Sequence, residues 1–209
     1  MDMSGTFDTA IERRGSESYK WDDNERLFGR AELLPFWVAD MDFATPEPIL
    51  DAIRSRAEHP FLGYGIRSER YYTALDGWLR RRHGWSSDGD GLKCCPPRAI
   101  VGIHGVIGAL TKPGDSIVVP SPTYGPLLKL VEGNSRRLIR CPLAEVDGRF
   151  TLDAERVEAC LDKDTRIILI CSPHNPTGRV WSRAELEAVA DIAERHDLIA
   201  PNRRDRGED

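Results

Sequence analysis

The sequence predicts an α/β protein built on a mostly parallel sheet flanked by helices. Strand and helix signals alternate from residue 99 onwards, as they do when helices connect parallel strands. Residues 167–171 form an unbroken apolar run, which is typical of a strand buried on both faces. This run leads into residues 172–178, a rigid loop with two prolines and a terminal glycine. Open α/β sheets bind ligands in such loops, so the fold class also predicts where a site should lie.

Composition narrows the possible functions. The 209 residues carry a net charge of −5, which gives no reason to expect a nucleic-acid partner. The sequence has no apolar run near the roughly 18 residues that span a bilayer, and we expect no membrane partner. Its first ten residues do not resemble a signal peptide. The five cysteines are odd in number and lack metal-site spacing, so we expect reduced cytoplasmic thiols and no metal.

The first half of the chain predicts an arm and two helices. Residues 1–45 show little periodicity and predict an extended arm. A helix is expected to begin at Thr45 and Pro46, with the threonine as N-cap. A second helix follows from the 3.6-residue spacing of apolar side chains over 71–82, and it should stop at Gly84.

The second half predicts alternating elements. Residues 182–185 form a capping box that should open the last helix. The other expected helices are 99–110, 124–131 and 153–161, and the expected strands are 116–119, 137–141 and 166–171.

Two side chains that follow predicted strands are candidates for ligand binding. Asn175 lies between prolines after the buried strand, and Tyr124 follows the strand at 116–119. The N-P-T-G run at 175–178 resembles the signature of fold-type I pyridoxal 5′-phosphate (PLP) enzymes, the class I/II aminotransferase superfamily. The following Arg179-Val180-Trp181 is similar to its MalY/PatB branch of cysteine-S-conjugate β-lyases. The resemblance implies that Asn175 bonds the cofactor's O3′ and that Tyr124 packs on the pyridine; otherwise they are an ordinary loop amide and strand-end aromatic.

The residues of this chain that match the family's phosphate-binding segment resemble it less closely. Residues 96–100 match the family's S-P-G-V-V, and backbone N–H groups of Ala99 and Ile100 are the expected phosphate donors. Arg98 replaces the family's glycine, and it either helps to hold phosphate or blocks the position. Tyr64, between two glycines, matches a tyrosine that reaches the phosphate across a dimer interface.

The segment 34–43, L-P-F-W-V-A-D-M-D-F, closely resembles the branch's substrate-side segment. The resemblance implies substrate contacts for Ala39 and Asp40, while Asp42 could instead cap a helix start. Arm residues 13–15 and 20–22 also look like the branch's arm. We interpret His174 as structural, because the sequence shows no catalytic partner set for it.

The resemblance covers residues 7 to about 199, whereas such enzymes are about twice as long. It implies that 1–45 is an arm or part of a small domain and 46–199 the first part of the fold-type I PLP-transferase large domain, truncated. The polar tail 200–209 does not fit a central strand, and one hypothesis is a frameshift, since a shifted frame can read Thr-Asp-Glu-Ile, close to the family's S-D-E-I. No catalytic residue is assigned, because none of the five lysines matches the Schiff-base lysine: Lys20, Lys93, Lys112, Lys129 and Lys163.

The implied activity is PLP-dependent β-elimination from cystathionine or other cysteine conjugates, giving pyruvate, ammonia and a thiol. The alternatives are a class I/II aminotransferase and a catalytically inactive fragment. The expected partners are a small amino-acid substrate and a second copy in a homodimer.

Overall fold

The computed structural model describes residues 7–86 and 99–199. The chain forms two compact units, Met1–Trp85 (unit 1) and Ser86–Asp209 (unit 2). Arg98 and the tail 200–209 lie outside the described residues. The predictions made for them therefore stay predictions.

Unit 1 contains four described helices: α1 Tyr19–Asp22, α2 Asn24–Phe28, α3 Glu47–Ala57 and α4 Glu69–His83. The predicted extended arm thus includes two short helices, because four or five residues are too few for a 3.6-residue period to show. The predicted Thr45 cap is wrong by one residue, since Pro46 takes the N-cap position with extended backbone. The predicted end of α4 is confirmed: Gly84 has a φ of +61°, and its N–H donates to the Arg80 carbonyl.

Unit 2 follows the predicted alternation. Its described elements, in chain order, are α5 Ala99–Leu110, β1 Ser116–Ser121, α6 Gly125–Gly133, β2 Arg137–Pro142, β3 Ala144–Val146, β4 Arg149–Thr151, α7 Ala154–Ala159, β5 Thr165–Ile168 and α8 Arg183–Arg195. The β3–β4 hairpin was not predicted from the sequence. Its signal was Asp147-Gly148, whose φ angles of +50° and +72° suit a tight two-residue turn.

The main sheet is parallel, with strand order β2-β1-β5. Ile199 adds a further parallel bridge to Ile167 on the edge of β5 away from β1. β5 is shorter than the predicted strand, although the Leu169 N–H still donates to the Val118 carbonyl at 2.8 Å. The α/β fold class is therefore confirmed in the part of the chain that the structure describes.

Side chains of β1 alternate between two cores. Val118 packs with Ile168 and with Val189 and Ile192 of α8. Its neighbours Ile117 and Val119 face the other core, which also contains Ile107 of α5, Val131 of α6 and Ile167. The sheet is thus covered on both faces, as its apolar strands predict. Among the described helices, none is both long and apolar enough to cross a membrane.

Candidate cofactor-binding site

Two predicted site residues lie at the same edge of the sheet. β1 and β5 are adjacent and parallel, so their carboxyl ends point the same way. Tyr124 follows β1 and occupies the N-cap of α6, and Asn175 lies in the loop that follows β5. The structure therefore brings both residues to the edge where open α/β sheets bind ligands.

Both side chains are accessible there. Asn175 is exposed, and its carboxamide has no hydrogen-bond partner among residues 7–86 and 99–199. Tyr124 is 41% exposed. A free amide and an accessible aromatic face are groups that can orient a flat, polar ligand.

The loop that carries Asn175 closes on itself. The His174 N–H donates to the Arg179 carbonyl at 2.6 Å, and the Gly178 N–H donates back to the His174 carbonyl at 2.7 Å. Gly178 has a φ of +70°, a left-handed conformation that glycine adopts without strain. Asn175 and Pro176 consequently lie at the tip of a short closed loop.

His174 lies buried beneath this loop. Its Nδ1 is 2.8 Å from the Thr177 hydroxyl oxygen, and its ring centroid is 4.9 Å from that of Trp181. Burial lowers the pKa of His174, because desolvation disfavours the charged imidazolium. These contacts give His174 a packing role, in line with the structural interpretation of the sequence.

The signature residues after the loop attach it to α8. Trp181 donates from Nε1 to the Cys171 carbonyl at 2.9 Å. Arg179 donates to both carboxylate oxygens of Glu185, at 2.7 and 2.8 Å. Glu185 also completes the predicted capping box with Ser182. Arg179 and Trp181, which served only as family markers in the sequence, are thus structural supports of the loop.

The predicted phosphate donors lie in α5. Ala99 and Ile100 are the first residues of this helix that the structure describes, and residues 87–98 before them lie outside the described residues. N–H groups in the first turn of a helix have no acceptor within that helix, and the helix dipole favours anions near them. A helix start at this point would suit a phosphate, and phosphate binding by the Ala99 and Ile100 N–H groups stays a prediction.

The remaining predicted site residues belong to unit 1. Tyr64 is fully exposed between α3 and α4. Ala39 and Asp40 are also exposed. Asp40 is tied to the arm, because its carboxylate accepts from Arg13 at 2.7 Å and its carbonyl from Lys20 at 2.6 Å.

Asp42 is the centre of this arm network and not a helix cap, so that alternative is corrected. Its carboxylate accepts hydrogen bonds from Lys20 (2.6 Å), Trp21 (2.8 Å) and Arg13 (2.8 Å). The bond from Lys20, followed by those from Trp21 and Arg13, lowers the pKa of Asp42 to about 2. In the sequence these arm residues were recognisable only by resemblance, and their hydrogen bonds to Asp42 were not predicted.

Within the described ranges, no three His, Cys, Asp or Glu side chains are grouped so as to hold a metal ion.

Comparison with known proteins identifies the family of the chain. The sequence model of the family "Aminotransferase class I and II" matches residues 95–200, about half of the chain. The chain belongs to this family. It is 38% identical over 191 residues to cystathionine β-lyase PatB of Bacillus subtilis strain 168 and 35% identical over 193 residues to protein MalY of Escherichia coli K12. Each alignment covers 91% of this chain and 49% of the relative.

A solved structure shows the same fold. The PLP-bound C–S lyase from Staphylococcus hominis superposes with a TM-score of 0.84 at 30% identity, covering 93% of this chain and 49% of that protein. The predicted family and its fold are thus confirmed, and the chain spans about half the length of the relatives it matches.

Proposed function

We propose that the protein is a PLP-dependent carbon–sulfur β-lyase and that this chain supplies part of its cofactor cradle. The observation that carries the proposal is the placement of Tyr124 and Asn175 at the carboxyl edge of adjacent parallel strands, with the Asn175 carboxamide free. The likeness to PatB and to a PLP-bound C–S lyase supports it. In this proposal residues 1–45 are an arm and 46–199 the first part of the cofactor domain.

The residues present fit PLP by their chemistry. Asn175 would donate to the ring hydroxyl oxygen, and Tyr124 offers an aromatic face to the pyridine. N–H groups of Ala99 and Ile100 suit the phosphate, and Tyr64 is a further phosphate ligand, contributed across a dimer interface. The cofactor would supply an electron sink for charge that develops at the substrate's α-carbon.

The proposed reaction breaks one C–S bond in a cysteine conjugate. The substrate loses a proton from Cα and a thiolate from Cβ, and hydrolysis of the remaining enamine gives pyruvate and ammonia. For cystathionine the sulfur leaves as homocysteine. Ala39 and Asp40 are the proposed substrate contacts, and Arg13 and Lys20 would hold the Asp40 segment in shape.

Because none of this chain's lysines matches the Schiff-base lysine, the test is product analysis of the whole purified enzyme to which this chain contributes, with added PLP and L-cystathionine. We expect pyruvate, detected with lactate dehydrogenase, and an equal amount of thiol, detected with a thiol reagent, in the absence of any keto acid. Asn175→Ala should slow both products alike. Product formation that requires a keto acid would contradict the lyase proposal.

An aminotransferase is the second candidate, and the match to the aminotransferase family model favours it. This activity would transfer the amino group to a keto acid and leave the C–S bond intact. Conversion of 2-oxoglutarate to glutamate, without thiol release, would identify it.

A homodimer and a cytoplasmic location complete the proposal. Almost fully exposed apolar side chains in unit 1, Phe36, Tyr64 and Ile66, would gain burial in a dimer. Free thiols at Cys141, Cys160 and Cys171 fit a reducing compartment. Sedimentation velocity of the purified protein would measure the oligomeric state.

A further inference from the structure

The orientation of the Asn175 carboxamide must be set by the neighbouring residues of its loop. This carboxamide makes no hydrogen bond within the described ranges, so no bond of its own fixes it. The flanking backbone is fixed instead, by the two bonds that join His174 to Arg179 and to Gly178. Whatever holds the side chain of His174 therefore also holds the backbone on which Asn175 is mounted.

His174 is held on two sides. The Thr177 hydroxyl oxygen, within the loop, lies 2.8 Å from Nδ1, and Trp181 packs against the ring. Trp181 is itself buried and bonded to the Cys171 carbonyl, where the chain leaves β5. The imidazole thus connects the tip of the loop to the end of the strand.

The surroundings of Nε2 favour a neutral ring. This nitrogen is buried and has no hydrogen-bond partner in the described part of the chain. An imidazolium needs an acceptor at both nitrogens, and only Nδ1 has a neighbour that can serve. A general base must exchange protons with a substrate, so this environment suits positioning better than proton transfer.

We propose that His174 is a positioning residue for cofactor binding, acting through Thr177 and the closed loop to set the direction of the Asn175 carboxamide. This inference rests on the proposed function, because it assumes that Asn175 binds PLP. It adds a role for the one buried imidazole of the loop, which the proposed chemistry does not otherwise use.

The test compares two pairs of variants in the purified protein. His174→Leu removes the bond to Thr177, and His174→Gln keeps a polar group that can reach it. Thr177→Val removes the hydroxyl with almost no change in shape, and Thr177→Ser keeps it. The valine variant keeps the test decisive if the leucine variant folds poorly.

Two readouts are measured for each variant. The first is amide hydrogen exchange of the peptide 172–181, with peptide 183–195 of α8 as internal reference. The second is the dissociation constant for PLP, from an absorbance titration. Leu and Val variants should exchange at least tenfold faster in the loop alone and bind PLP about fivefold more weakly, whereas Gln and Ser variants should stay near the parent in both.

The outcomes separate the two proposals. Failure of the parent protein to bind PLP would contradict the proposed function, and the exchange data would still show whether His174 orders the loop. Unchanged loop exchange in the Leu and Val variants would overturn the inference. So would faster exchange with an unchanged PLP dissociation constant, because the loop order would then not matter to the cofactor.

Discussion

Replacement of Asn175 by alanine should separate binding from stability. The carboxamide is exposed and unbonded within the described residues, so its removal should change the free energy of unfolding by less than about 0.5 kcal/mol. In the proposed complex the same change removes one hydrogen bond to PLP, worth about 1 kcal/mol. The PLP dissociation constant should therefore rise about fivefold.

Asn134 provides the matched control. Its Nδ2 donates to the Leu130 carbonyl at 2.7 Å and so caps the end of α6. Asn134→Ala should cost about 1 kcal/mol of stability and leave PLP binding unchanged.

Urea unfolding followed by far-UV circular dichroism would measure the stability of both variants, and an absorbance titration would measure their PLP affinity. If Asn175→Ala destabilised the protein as much as Asn134→Ala, or bound PLP like the parent, the reasoning about a free amide would be refuted.

Three further predictions concern packing, capping and acid. Val189→Ala, at a fully buried position, should cost about 2 kcal/mol in urea unfolding, whereas Val180→Ala, at an exposed one, should cost less than about 0.5 kcal/mol. Ser182→Ala should remove the N-cap bond of α8 and cost about 1 kcal/mol, seen as a lower melting temperature. The ion pairs of Asp42, whose pKa is about 2 against an ordinary value of about 4, stabilise the arm above pH 4 and lose this effect as the pH falls towards 2. Trp21 fluorescence should change over that range, and in Asp42→Asn it should already resemble the acid form at neutral pH.

Local chemistry made much of the fold predictable. The capping box at Ser182 and the glycine after α4 fix helix ends through neighbouring backbone groups, so a short window of sequence contains the whole signal. The apolar run that becomes β5 is equally local, because burial on both faces leaves no room for polar alternation. These elements in turn place Tyr124 and Asn175 at one sheet edge.

The missed features depend on residues far apart in the chain. Asp42 meets Arg13 and Lys20 across 29 and 22 positions, and no periodicity or spacing rule connects them. For Glu185 the capping box is local and was predicted, whereas its bond to Arg179 depends on the folded loop and its bond to the Leu152 N–H joins residues 33 positions apart. The candidate site residues could therefore be predicted from the sequence more readily than the hydrogen bonds that hold them in place.

The Asn175 loop illustrates why those supports matter. Around it His174 Nδ1, the Thr177 hydroxyl and Arg179 Nη2 are bonded within the protein, and the Asn175 carboxamide is left for a ligand. A loop that is ordered by its own bonds loses little further freedom when a ligand binds, so more of each new contact appears as affinity. The same hydrogen bond from a floppy loop would be offset by the entropy of ordering it. On this argument the proline-rich signature acts less through any contact of its own than by presenting one free amide on a fixed backbone.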